Sequence, residues 1–567
     1  MNRPWLLPEQ DYAAATAMAR ALGISPVTAA LLRQRDVRTT EEAARFLRPS
    51  LKHLFDPFLM TDMTAAVERI TLARDRQEKV LVFGDYDVDG VSAAALLWRG
   101  LRRFGIESVD ADMPDRLNEG FGLAPEHVEQ AAARGYRLIV TVDNGISALS
   151  AARRARELGV SLIVTDHHKP ETELPDADAV INPLREPPDH PARGLCGAGV
   201  AFKLSTALNG TPNDLDLAAL GTIADIVPLR GENRVIATFG LRHMQQHQRM
   251  GLRVLARVAE RPIGSVTSED IGFMLAPRLN AAGRLEDART ALRLLLCEDE
   301  AEAHALAREL DQTNRQRQEI EQAVYEDAVE EIDAWVQPDR CSIVVARSGW
   351  HPGVIGIVAS RLLQRYQRPV FVLSLDEAGM ARGSGRSGAN FDLMAALISC
   401  ADLFEKFGGH RAAAGLTMRA DLVETFRERF EEAARAQFGG VPQPVPLQID
   451  AISGISLLHP DLIGEINQLR PFGEGNRQPV LAAFGVRIVP GSVKVFKDDH
   501  VAMRLSQGRA VCSAIWFRGA ERFWQGNFSG EVDVAFIPEP STYPGDTPVR
   551  MKVVDIRVAE PIDTDQD

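Results

Sequence analysis

The sequence has little of what marks a secreted, membrane or nucleotide-triphosphate-binding protein. Its 567 residues include five cysteines that lie far apart without a CxxC pair, so we expect neither a zinc site nor a disulfide framework. The opening MNRPWLLPEQ lacks the apolar core of a signal peptide, and no apolar run approaches the length of a membrane span. A phosphate-binding loop of the form GxxxxGKS or GxxxxGKT is absent, which excludes a P-loop NTPase. These absences predict a cytoplasmic protein that makes no membrane contact.

An excess of positive charge is absent as well. The formal net charge of −14 gives no global argument for nucleic-acid binding. A local basic groove would nevertheless be enough for such binding, and acids that hold divalent metals add to the negative count. The composition is otherwise ordinary for a globular protein, and the length predicts about three or four domains.

The most informative segment is VLVFGDYDVDG, residues 80–90. Its four apolar residues predict a buried strand, which runs into three carboxylates at Asp85, Asp87 and Asp89. Three such acids repel one another unless a cation lies between them, and hard divalent metals prefer oxygen ligands. An EF-hand calcium loop would need Glu at its twelfth position, where Leu96 stands, and a helix where we predict a strand. A solvated turn without metal is the other alternative.

Short apolar strands alternate with helical segments through the first half of the chain. The predicted strands are residues 80–83, 109–113, 138–142, 162–165 and 179–181, with helices at 91–101, 125–134 and 148–158. Such a βαβ series is typical of a parallel, doubly wound α/β sheet.

The chain divides into five predicted segments. We assign residues 1–70 to an N-terminal helical segment, 71–295 to a catalytic α/β domain, 296–340 to a long charged connecting helix, 341–440 to a second α/β domain, and 449–560 to a strand-rich domain. Pro442, Pro444 and Pro446 mark a linker before the last domain. Short strands at the spacing seen in this last domain favour an OB-like β-barrel.

Polar residues also follow other predicted strands of the first sheet. Asp143 follows residues 138–142, the triplet Asp166, His167 and His168 follows residues 162–165, and Asp225 lies in GTIADIVPL. Because ligands bind beyond the carboxyl ends of parallel strands, we expect these side chains to meet the three earlier acids. A carboxylate-rich set with one clear histidine favours manganese or magnesium over zinc or copper. Two ions sharing one carboxylate would activate water for hydrolysis of a phosphate ester or anhydride.

These motifs resemble those of the DHH phosphoesterase superfamily. The resemblance rests on DYDVDG, VDNG, DHH and the later Asp225, and on GGHRAAAG at residues 408–415, which is similar to the signature of the DHHA1 domain. PRLNAAGR (277–284), HPGVIGIVASRL (351–362) and GSGRS (383–387) narrow the resemblance to the bacterial exonucleases of single-stranded DNA. The resemblance covers nearly the whole chain, and no catalytic motif is broken.

The resemblance implies a 5′-to-3′ exonuclease that releases mononucleotides from single-stranded DNA in recombination and repair, with two Mn²⁺ or Mg²⁺ ions per active site. The implied metal ligands are Asp87, Asp89, Asp143, His167 and Asp225, with Asp143 bridging the two ions. Three further residues are assigned to catalysis: Asp85 as an additional ligating position, Asp166 as the group that orients His167, and His168 as the contact to the scissile phosphate.

The second α/β domain is predicted to hold the DNA strand. Residues 341–420 contain nine basic and five acidic residues, against the acidic balance of the whole chain, and their glycines let backbone N–H groups approach phosphate. The candidate substrate-binding residues are Arg278, Arg284, Arg382, Ser384, Arg386, Ser387, Gly408, Gly409 and His410. Tight packing of the glycines, solvated surface arginines, and ion pairing of Arg278 and Arg284 are the competing interpretations.

The OB-like domain offers aromatic side chains on which bases could stack. The candidates are Phe496, Trp516, Phe517 and Phe523, of which we expect at least half to be core residues, since small barrels need aromatics inside.

Other functions remain open at this point. A phosphodiesterase for oligoribonucleotides or cyclic dinucleotides, or an inorganic pyrophosphatase, would share the metal site but would need only the two α/β domains. A non-catalytic DNA-binding scaffold is a further alternative, which the intact metal motifs disfavour. From the family's role we expect single-strand-binding protein and a helicase as partners, and we expect a monomer.

Overall fold

The computed structural model describes residues 3–8, 11–114, 122–335, 339–440, 445–497, 499–526, 528, 530–541, 543 and 545–559. The predicted end of the connecting helix beyond Trp335, the linker prolines Pro442 and Pro444, and residue 560 of the last predicted domain lie outside these residues.

The first α/β domain is built around a five-stranded parallel sheet. Its strands are Val80–Phe83, Val109–Asp112, Leu138–Val142, Ser161–Thr165 and Ala179–Ile181. Its helices are Met63–Asp75, Val88–Phe104, Pro125–Ala133, Leu149–Leu158, Gly197–Asn209, Leu215–Ala224, Gly231–His247, Met250–Val258, Ser268–Asp270, Ala276–Leu285 and Arg289–Leu296, with a π-helical turn at Ile271–Leu275. The prediction of a doubly wound parallel sheet is confirmed.

The strand order of this sheet places a topological switch point between the second and third strands in its spatial order. The strand Val80–Phe83 pairs on one side with Val109–Asp112 and on the other with Leu138–Val142, and the remaining strands follow outward from there. In open parallel sheets the crevice at such a reversal is where ligands bind. The segments after Phe83 and after Val142, which carry the predicted acids, both open into this crevice.

The helix after the first strand begins earlier than predicted. We expected it from residue 91, after a turn at Gly90, but it runs from Val88 to Phe104 and Asp87 is its N-cap. The Oδ1 atom of Asp87 accepts hydrogen bonds from the backbone N–H groups of Asp89 and Gly90 at 2.9 and 3.1 Å. Gly90 therefore serves close packing, because a Cβ atom there would lie 2.5 Å from the carbonyl oxygen of Asp85.

The second α/β domain follows the connecting helix Glu300–Trp335. Its strands are Ile343–Ser348, Val370–Leu375, Met380–Arg386, Phe404–Gly409 and Ala413–Arg419, and its helices are Ile355–Tyr366, Leu393–Ile398 and Val423–Phe438. The first two strands pair in parallel, and the other neighbours in this five-stranded sheet are antiparallel.

The C-terminal domain is a closed barrel. Its strands are Ala451–Ile452, Leu481–Ile488, Lys494–Phe496, His500–Gln507, Ala510–Trp516, Glu531–Pro540 and Val549–Val558, with helices Pro460–Asn467 and Ala520–Gln525. Pairing of Arg487 with Ser506 and of Ile488 with Leu505 joins the first and last strands of a five-stranded circuit. Five strands closed in this way are the OB-like architecture that we predicted.

The N-terminal segment is divided between two domains, which differs from the single helical unit predicted for residues 1–70. The helices Tyr12–Leu22, Pro26–Arg33 and Thr40–Leu47 share one hydrophobic core with the barrel. The short strand Trp5–Leu6 pairs in parallel with Leu447–Gln448. Residues from Met60 onward instead belong to the core of the first α/β domain. Sequence periodicity cannot show this division, because it reports that a helix has an apolar face but not which domain covers it.

Within the described ranges no single helix is both long and apolar enough to cross a membrane, and the bent pair Ala13–Leu22 and Pro26–Arg33 meets that standard only by length and composition.

The barrel is also attached to the segment that follows Asp225. The backbone N–H of Leu229 donates to the carbonyl oxygen of Glu474 at 2.8 Å, and Arg230 Nε donates to that of Gly475 at 2.9 Å. Nearby, the guanidinium of Arg234 donates to four main-chain carbonyl groups, those of Phe46, Gln468, Leu469 and Arg470. The first α/β domain, the N-terminal helices and the barrel therefore meet at one junction.

Candidate active site

The predicted acids and histidines meet at the switch point of the first sheet. Their ligand atoms form three overlapping groups, each with all atoms within 4.8 Å of one another. The groups are Asp85, Asp87 and Asp143; Asp89, His167 and Asp225; and Asp143, His167 and His168. Asp143 and His167 each belong to two groups, so these two side chains lie at the centre of the site.

The position of Asp143 depends on its own backbone conformation and on a glycine packed beside it. It has a φ angle of 63°, a left-handed conformation that aspartate tolerates better than most residues. A Cβ atom at Gly197 would lie 2.5 Å from the Cβ atom of Asp143, so only glycine leaves room for the carboxylate there. The N-terminus of the helix that begins at Gly197 thus packs directly against the site.

The same helix N-terminus binds Asp89. The backbone N–H groups of Gly197 and Ala198 donate to the two carboxylate oxygens of Asp89 at 2.6 and 2.9 Å. A helix N-terminus carries unpaired N–H groups and partial positive charge, which favours a carboxylate. Burial, followed by the charge of Asp87, nevertheless raises the pKa of Asp89, although His167 opposes the shift.

The electrostatics of the site call for a cation. Burial, with the charges of Asp89, Asp87 and Asp85, raises the pKa of Asp143 well above its usual value. Burial lowers the pKa of His167, which leaves the imidazole neutral at pH 7 with a nitrogen lone pair to offer. Buried acids whose charge is penalised, beside a neutral imidazole, are stabilised by a divalent ion.

A buried carboxylate oxygen without a hydrogen bond also indicates a cation site. The Oδ1 atom of Asp143 is buried and lies 3.1 Å from Nε2 of His167, yet it accepts no hydrogen bond from any residue in the described ranges. Buried polar atoms are normally paired, and two facing ligand atoms can share a cation. The donor set of carboxylate oxygens with imidazole fits Mn²⁺ or Mg²⁺.

Asp166 orients a different histidine from the one we predicted. Its Oδ1 atom lies 2.7 Å from Nδ1 of His168, and the side chain also accepts backbone N–H groups from Ile146, His167 and His168. The ring that Asp166 contacts is therefore that of His168 and not the predicted His167 ring, whose Nε2 atom faces Asp143 at 3.1 Å. Burial lowers the pKa of His168, but the hydrogen bond and charge of Asp166 outweigh it and raise the pKa to about 9.

The stability of the metal-free protein should depend on pH through Asp225. Burial, with the charges of Asp89 and Asp87, raises the pKa of Asp225 to about 8 in the folded chain, against about 3.9 when unfolded. Between these values only the folded state holds the proton, so stability falls as pH rises from about 4 to about 8. In the presence of a chelator, the melting temperature of the unaltered chain should fall more steeply across this range than that of Asp225→Asn. Parallel slopes would contradict the assignment.

Asn280 is a contact that sequence reasoning missed. Its Oδ1 atom accepts the backbone N–H of Val88, the first helical residue after the acid loop, at 3.0 Å. Four residues further along the same helix, Arg284 Nη1 donates to the carbonyl oxygen of Gly353 in the second α/β domain at 3.3 Å. Asn280 lies inside PRLNAAGR between the two arginines predicted to bind substrate, so the available signal was a polar residue within that motif.

The two arginines of this motif differ in role. Arg278 donates to Asp311 of the connecting helix at 2.9 Å and to the carbonyl oxygen of Met274 at 2.7 Å. The structure therefore favours ion pairing for Arg278. Arg284 instead lies where the two α/β domains touch.

The predicted phosphate contacts of the second domain lie partly on one face. Arg382, Ser384 and Arg386 alternate along the strand Met380–Arg386 with buried residues and so share a face. A Cβ atom at Gly356 would lie 3.0 Å from Ser384 Oγ and 3.1 Å from an Arg386 nitrogen, so the helix beginning at Ile355 starts against both. Since Gly353 touches Arg284, this face borders the contact between the domains.

The glycines of GGHRAAAG leave this face open. Ser384 pairs with Gly415, and Gly415 pairs with Gly408, so the three lie in one row across neighbouring strands. No described atom lies within 4 Å of a Cβ atom built at Gly408. Gly409 has a φ angle of 145° and His410 is exposed at the hairpin turn.

Ser387 does not belong to this surface. It is buried, and its hydroxyl donates to the carbonyl oxygen of Arg411 at 3.0 Å. The structure contradicts its prediction as a phosphate contact, because it follows Arg386 on the opposite face of the extended chain.

The aromatic candidates of the barrel divide as expected between core and surface. Trp516 and Phe523 are buried. Phe517 is 43% exposed, and Phe496 is half-buried. His500 contacts both of the latter rings, with centroid distances of 5.3 Å to each.

The parallel sheet with its acid and histidine cluster, followed by a second α/β domain, defines a DHH-type phosphoesterase. The family model described as the DHH family, N-terminal domain, matches residues 79–223, the DHHA1 domain matches residues 340–436, and the RecJ OB domain matches residues 449–555.

Named relatives narrow the family. The single-stranded-DNA-specific exonuclease RecJ of Salmonella typhimurium is 34% identical over 564 residues, which is 94% of this chain and 96% of that protein. RecJ of Bacillus subtilis is 42% identical over 479 residues, which is 84% of this chain but only 61% of that longer protein. The crystal structure of RecJ in complex with Mn²⁺ from Thermus thermophilus covers 98% of this chain and 80% of its own, with a TM-score of 0.84 at 32% identity. The chain belongs to the RecJ family of single-stranded-DNA-specific exonucleases.

Proposed function

We propose that this chain hydrolyses single-stranded DNA from its 5′ end and releases mononucleotides, using two Mn²⁺ or Mg²⁺ ions. The observation that carries the proposal is the overlap of three ligand groups at Asp143 and His167. The relatives named above are single-stranded-DNA-specific exonucleases, and one of them was solved with Mn²⁺.

Each ion would have its own ligands and one shared carboxylate. Asp85, Asp87 and Asp143 would hold the first ion, and Asp89, His167 and Asp225 the second, with Asp143 reaching both. Such ions supply a nucleophilic water and positive charge beside the phosphoryl oxygens.

The protein contributes a further positive charge through His168. Because Asp166 raises the pKa of His168 to about 9, its ring holds a proton at pH 7. Held by Asp166 at Nδ1, the imidazolium would stabilise negative charge on the scissile phosphate. Ser384 and Arg386, with the open glycine row beside them, would bind a neighbouring phosphate.

The direction of hydrolysis is tested with end-labelled single strands. A 5′ label should appear at once as a mononucleotide, whereas a 3′ label should pass through progressively shorter strands. Chelation should stop both, and Mn²⁺ or Mg²⁺ should restore them. Early release of a 3′ label would contradict the proposed direction, and release that persists in chelator would contradict the metal requirement.

Blunt duplex DNA should be degraded far more slowly than a single strand or a duplex with a 5′ overhang. The contact of Arg284 with Gly353 brings the two α/β domains together beside the acid loop, and the helix Glu300–Trp335 joins them. We expect a cleft bounded by this contact and this helix to admit one strand. Mononucleotide release should be compared on substrates that share the same labelled strand, and equal rates on blunt and single-stranded DNA would contradict the prediction.

A polymer is favoured over a dinucleotide or pyrophosphate as substrate because the barrel is joined to the catalytic domain through Leu229 and Arg234. As parts of the same proposal, we place the protein in the cytoplasm as a monomer, with single-strand-binding protein and a helicase as partners. The DNA substrate and the family's role in recombination and repair support the proposed location and partners.

A further inference from the structure

A groove of about 600 Å³ lies at the seam between the first α/β domain and the barrel. Phe273 lines it on one side, and Arg470, Phe472, Arg550 and Lys552 line it on the other. We propose that this seam groove binds the single-stranded substrate beyond the metal site and that a base stacks on Phe273. The inference deepens the proposed function and rests on it.

Phe273 is placed at the surface by a local irregularity in its helix. It lies in the π-helical turn Ile271–Leu275, whose two end residues are fully buried, yet the Phe273 side chain is 80% exposed. A π-turn inserts an extra residue and is frequent at functional sites. An exposed phenylalanine on a rigid turn is the form that a base-stacking platform takes.

The turn is fixed to the barrel side of the groove. The hydroxyl of Ser268, just before the π-turn, is buried and donates to the carbonyl oxygen of Phe472 at 2.7 Å. Thr267 and Asp270 form a capping box at the start of the same segment. Phe273 therefore stands at a defined position relative to the basic side chains across the groove.

The charges of the groove suit a phosphate backbone. Among the described residues no carboxylate lies within ion-pair distance of Arg470 or Lys552. Instead, Arg470 Nε donates to the neutral Asn467 Oδ1 at 3.0 Å and the guanidinium lies over the Phe472 ring at 5.2 Å, while Lys552 Nζ lies 6.0 Å from the Phe517 ring. Two acids line the groove. Glu539 forms an ion pair with Arg550 at 2.6 Å, so Glu269 is the one acid among the described lining residues that is outside an ion pair. Basic groups beside aromatic rings are typical of single-strand binding surfaces.

One helix links the groove to the metal site, and one side-chain contact links it to the exposed rings of the barrel. Along the helix that follows the π-turn, Asn280 comes seven residues after Phe273, about 10 Å at 1.5 Å per residue, and Asn280 binds Val88 beside the acids. About three stacked nucleotides at 3.4 Å each would cover this distance. On the barrel side of the groove, Lys552 Nζ lies near the Phe517 ring, and the His500 ring contacts both Phe517 and Phe496.

The test uses the full-length chain and measures binding apart from hydrolysis. Affinity for a long, fluorescently labelled single strand is measured by anisotropy in chelator for the unaltered chain, Phe273→Ala, Phe273→Trp and Phe58→Ala. Phe58 is 47% exposed outside the groove and serves as the matched control. Since the Phe273 side chain is exposed, its truncation should leave the fold intact, which the melting temperature checks.

We expect Phe273→Ala to weaken long-strand binding by about 5- to 150-fold, the effect of losing one stacked base. Phe273→Trp and Phe58→Ala should bind like the unaltered chain, and hydrolysis of a dinucleotide should be unchanged in all. Lys552→Gln should reduce the magnitude of the slope of log affinity against log salt concentration by about one, as expected for the loss of one phosphate contact.

If Phe273→Ala binds the long strand as tightly as the unaltered chain does, the proposal that the seam groove binds DNA is wrong. The groove would then be a surface for a protein partner. Because binding is measured without turnover, this result is distinct from failure of the proposed function, which would appear as no strand hydrolysis by the unaltered chain.

Discussion

Replacement of Asp143 by alanine should abolish hydrolysis of single-stranded DNA while the protein stays folded. Asp143 belongs to two of the three ligand groups, and its Oδ1 atom is buried beside His167. A divalent ion contributes several kcal/mol of charge stabilisation in the transition state, so loss of the shared ligand should lower turnover by about a thousandfold or more.

The fold should survive because the acid is unfavourable in the metal-free state. Burial and four neighbouring acids raise the pKa of Asp143, so its removal relieves repulsion. Alanine at a φ angle of 63° is strained, so Asp143→Asn, which suits that conformation, is the companion variant.

The measurement compares mononucleotide release with Mn²⁺ and the melting temperature with and without Mn²⁺. Mn²⁺ should raise the melting temperature of the unaltered chain more than that of either variant. Asp189→Asn, at an exposed acid of the same domain, is the control and should behave like the unaltered chain. Near-normal turnover by Asp143→Asn would show that Asp143 does not join the two ions.

Replacement of Arg234 by methionine should destabilise the protein by about 3–5 kcal/mol. The guanidinium is buried, stacks 3.8 Å from the centroid of the Phe46 ring, and donates to four carbonyl groups, three of them in the segment from Gln468 to Arg470. Hydrogen bonds from a charged donor contribute about 1.5–3 kcal/mol each, and such losses do not add fully. Burial, then repulsion from Arg35, lowers the pKa of Arg234 to about 9, so these carbonyl groups are what hold the charge.

Loss of this anchor should also affect the metal site. Leu229 and Arg230, which follow Asp225 closely, bind the same region of the barrel. We therefore expect Arg234→Met to need more Mn²⁺ for half-maximal activity, measured below its melting temperature. Arg242→Met, at an exposed arginine of the same helix, is the control. An unchanged Mn²⁺ requirement together with lowered stability would limit Arg234 to a structural role.

This junction changes what removal of the barrel would test. The sequence alone predicts that a chain ending near residue 442 would keep a measurable turnover at saturating DNA and would have a higher KM for long strands, because all the predicted metal ligands lie before the barrel. In the structure that truncation would expose the core that the N-terminal helices share with the barrel, and would remove the acceptors of Arg234. Point substitutions such as Phe273→Ala therefore separate binding from chemistry more cleanly.

Much of the fold follows from local patterns. The strands at residues 80–83, 138–142 and 179–181 appear with the predicted bounds, because a parallel sheet buried on both faces reads as short apolar runs. The helix start at Val88 was missed because the cap is an aspartate that also looks like a metal ligand. The sequence could not predict that the N-terminal segment is divided between two domains, since pairing between distant segments leaves no periodic signal.

The clustering of the candidate ligands was predictable from the sequence, but the groups that support them were not. Strand ends and acid spacing locate Asp85, Asp87, Asp89 and Asp143, since parallel strands share one carboxyl edge. The groups that position these acids come from elsewhere in the chain. They are backbone N–H groups, or glycines that leave room for a carboxylate, such as Gly197 beside Asp143. A main-chain donor carries no sequence signature, so only the assembled structure reveals it.

Contacts between distant segments of the chain have a consequence during synthesis. The N-terminal helices pack on the barrel, and Glu474 follows its partner Leu229 by roughly 245 residues. At about 5–20 residues per second, about 10–50 s pass between the synthesis of the segment after Asp225 and that of the barrel segment that binds it. We expect a nascent chain on the ribosome to carry every candidate ligand yet to cut no DNA until the barrel has folded, so that a half-made nuclease is harmless to the cell that makes it.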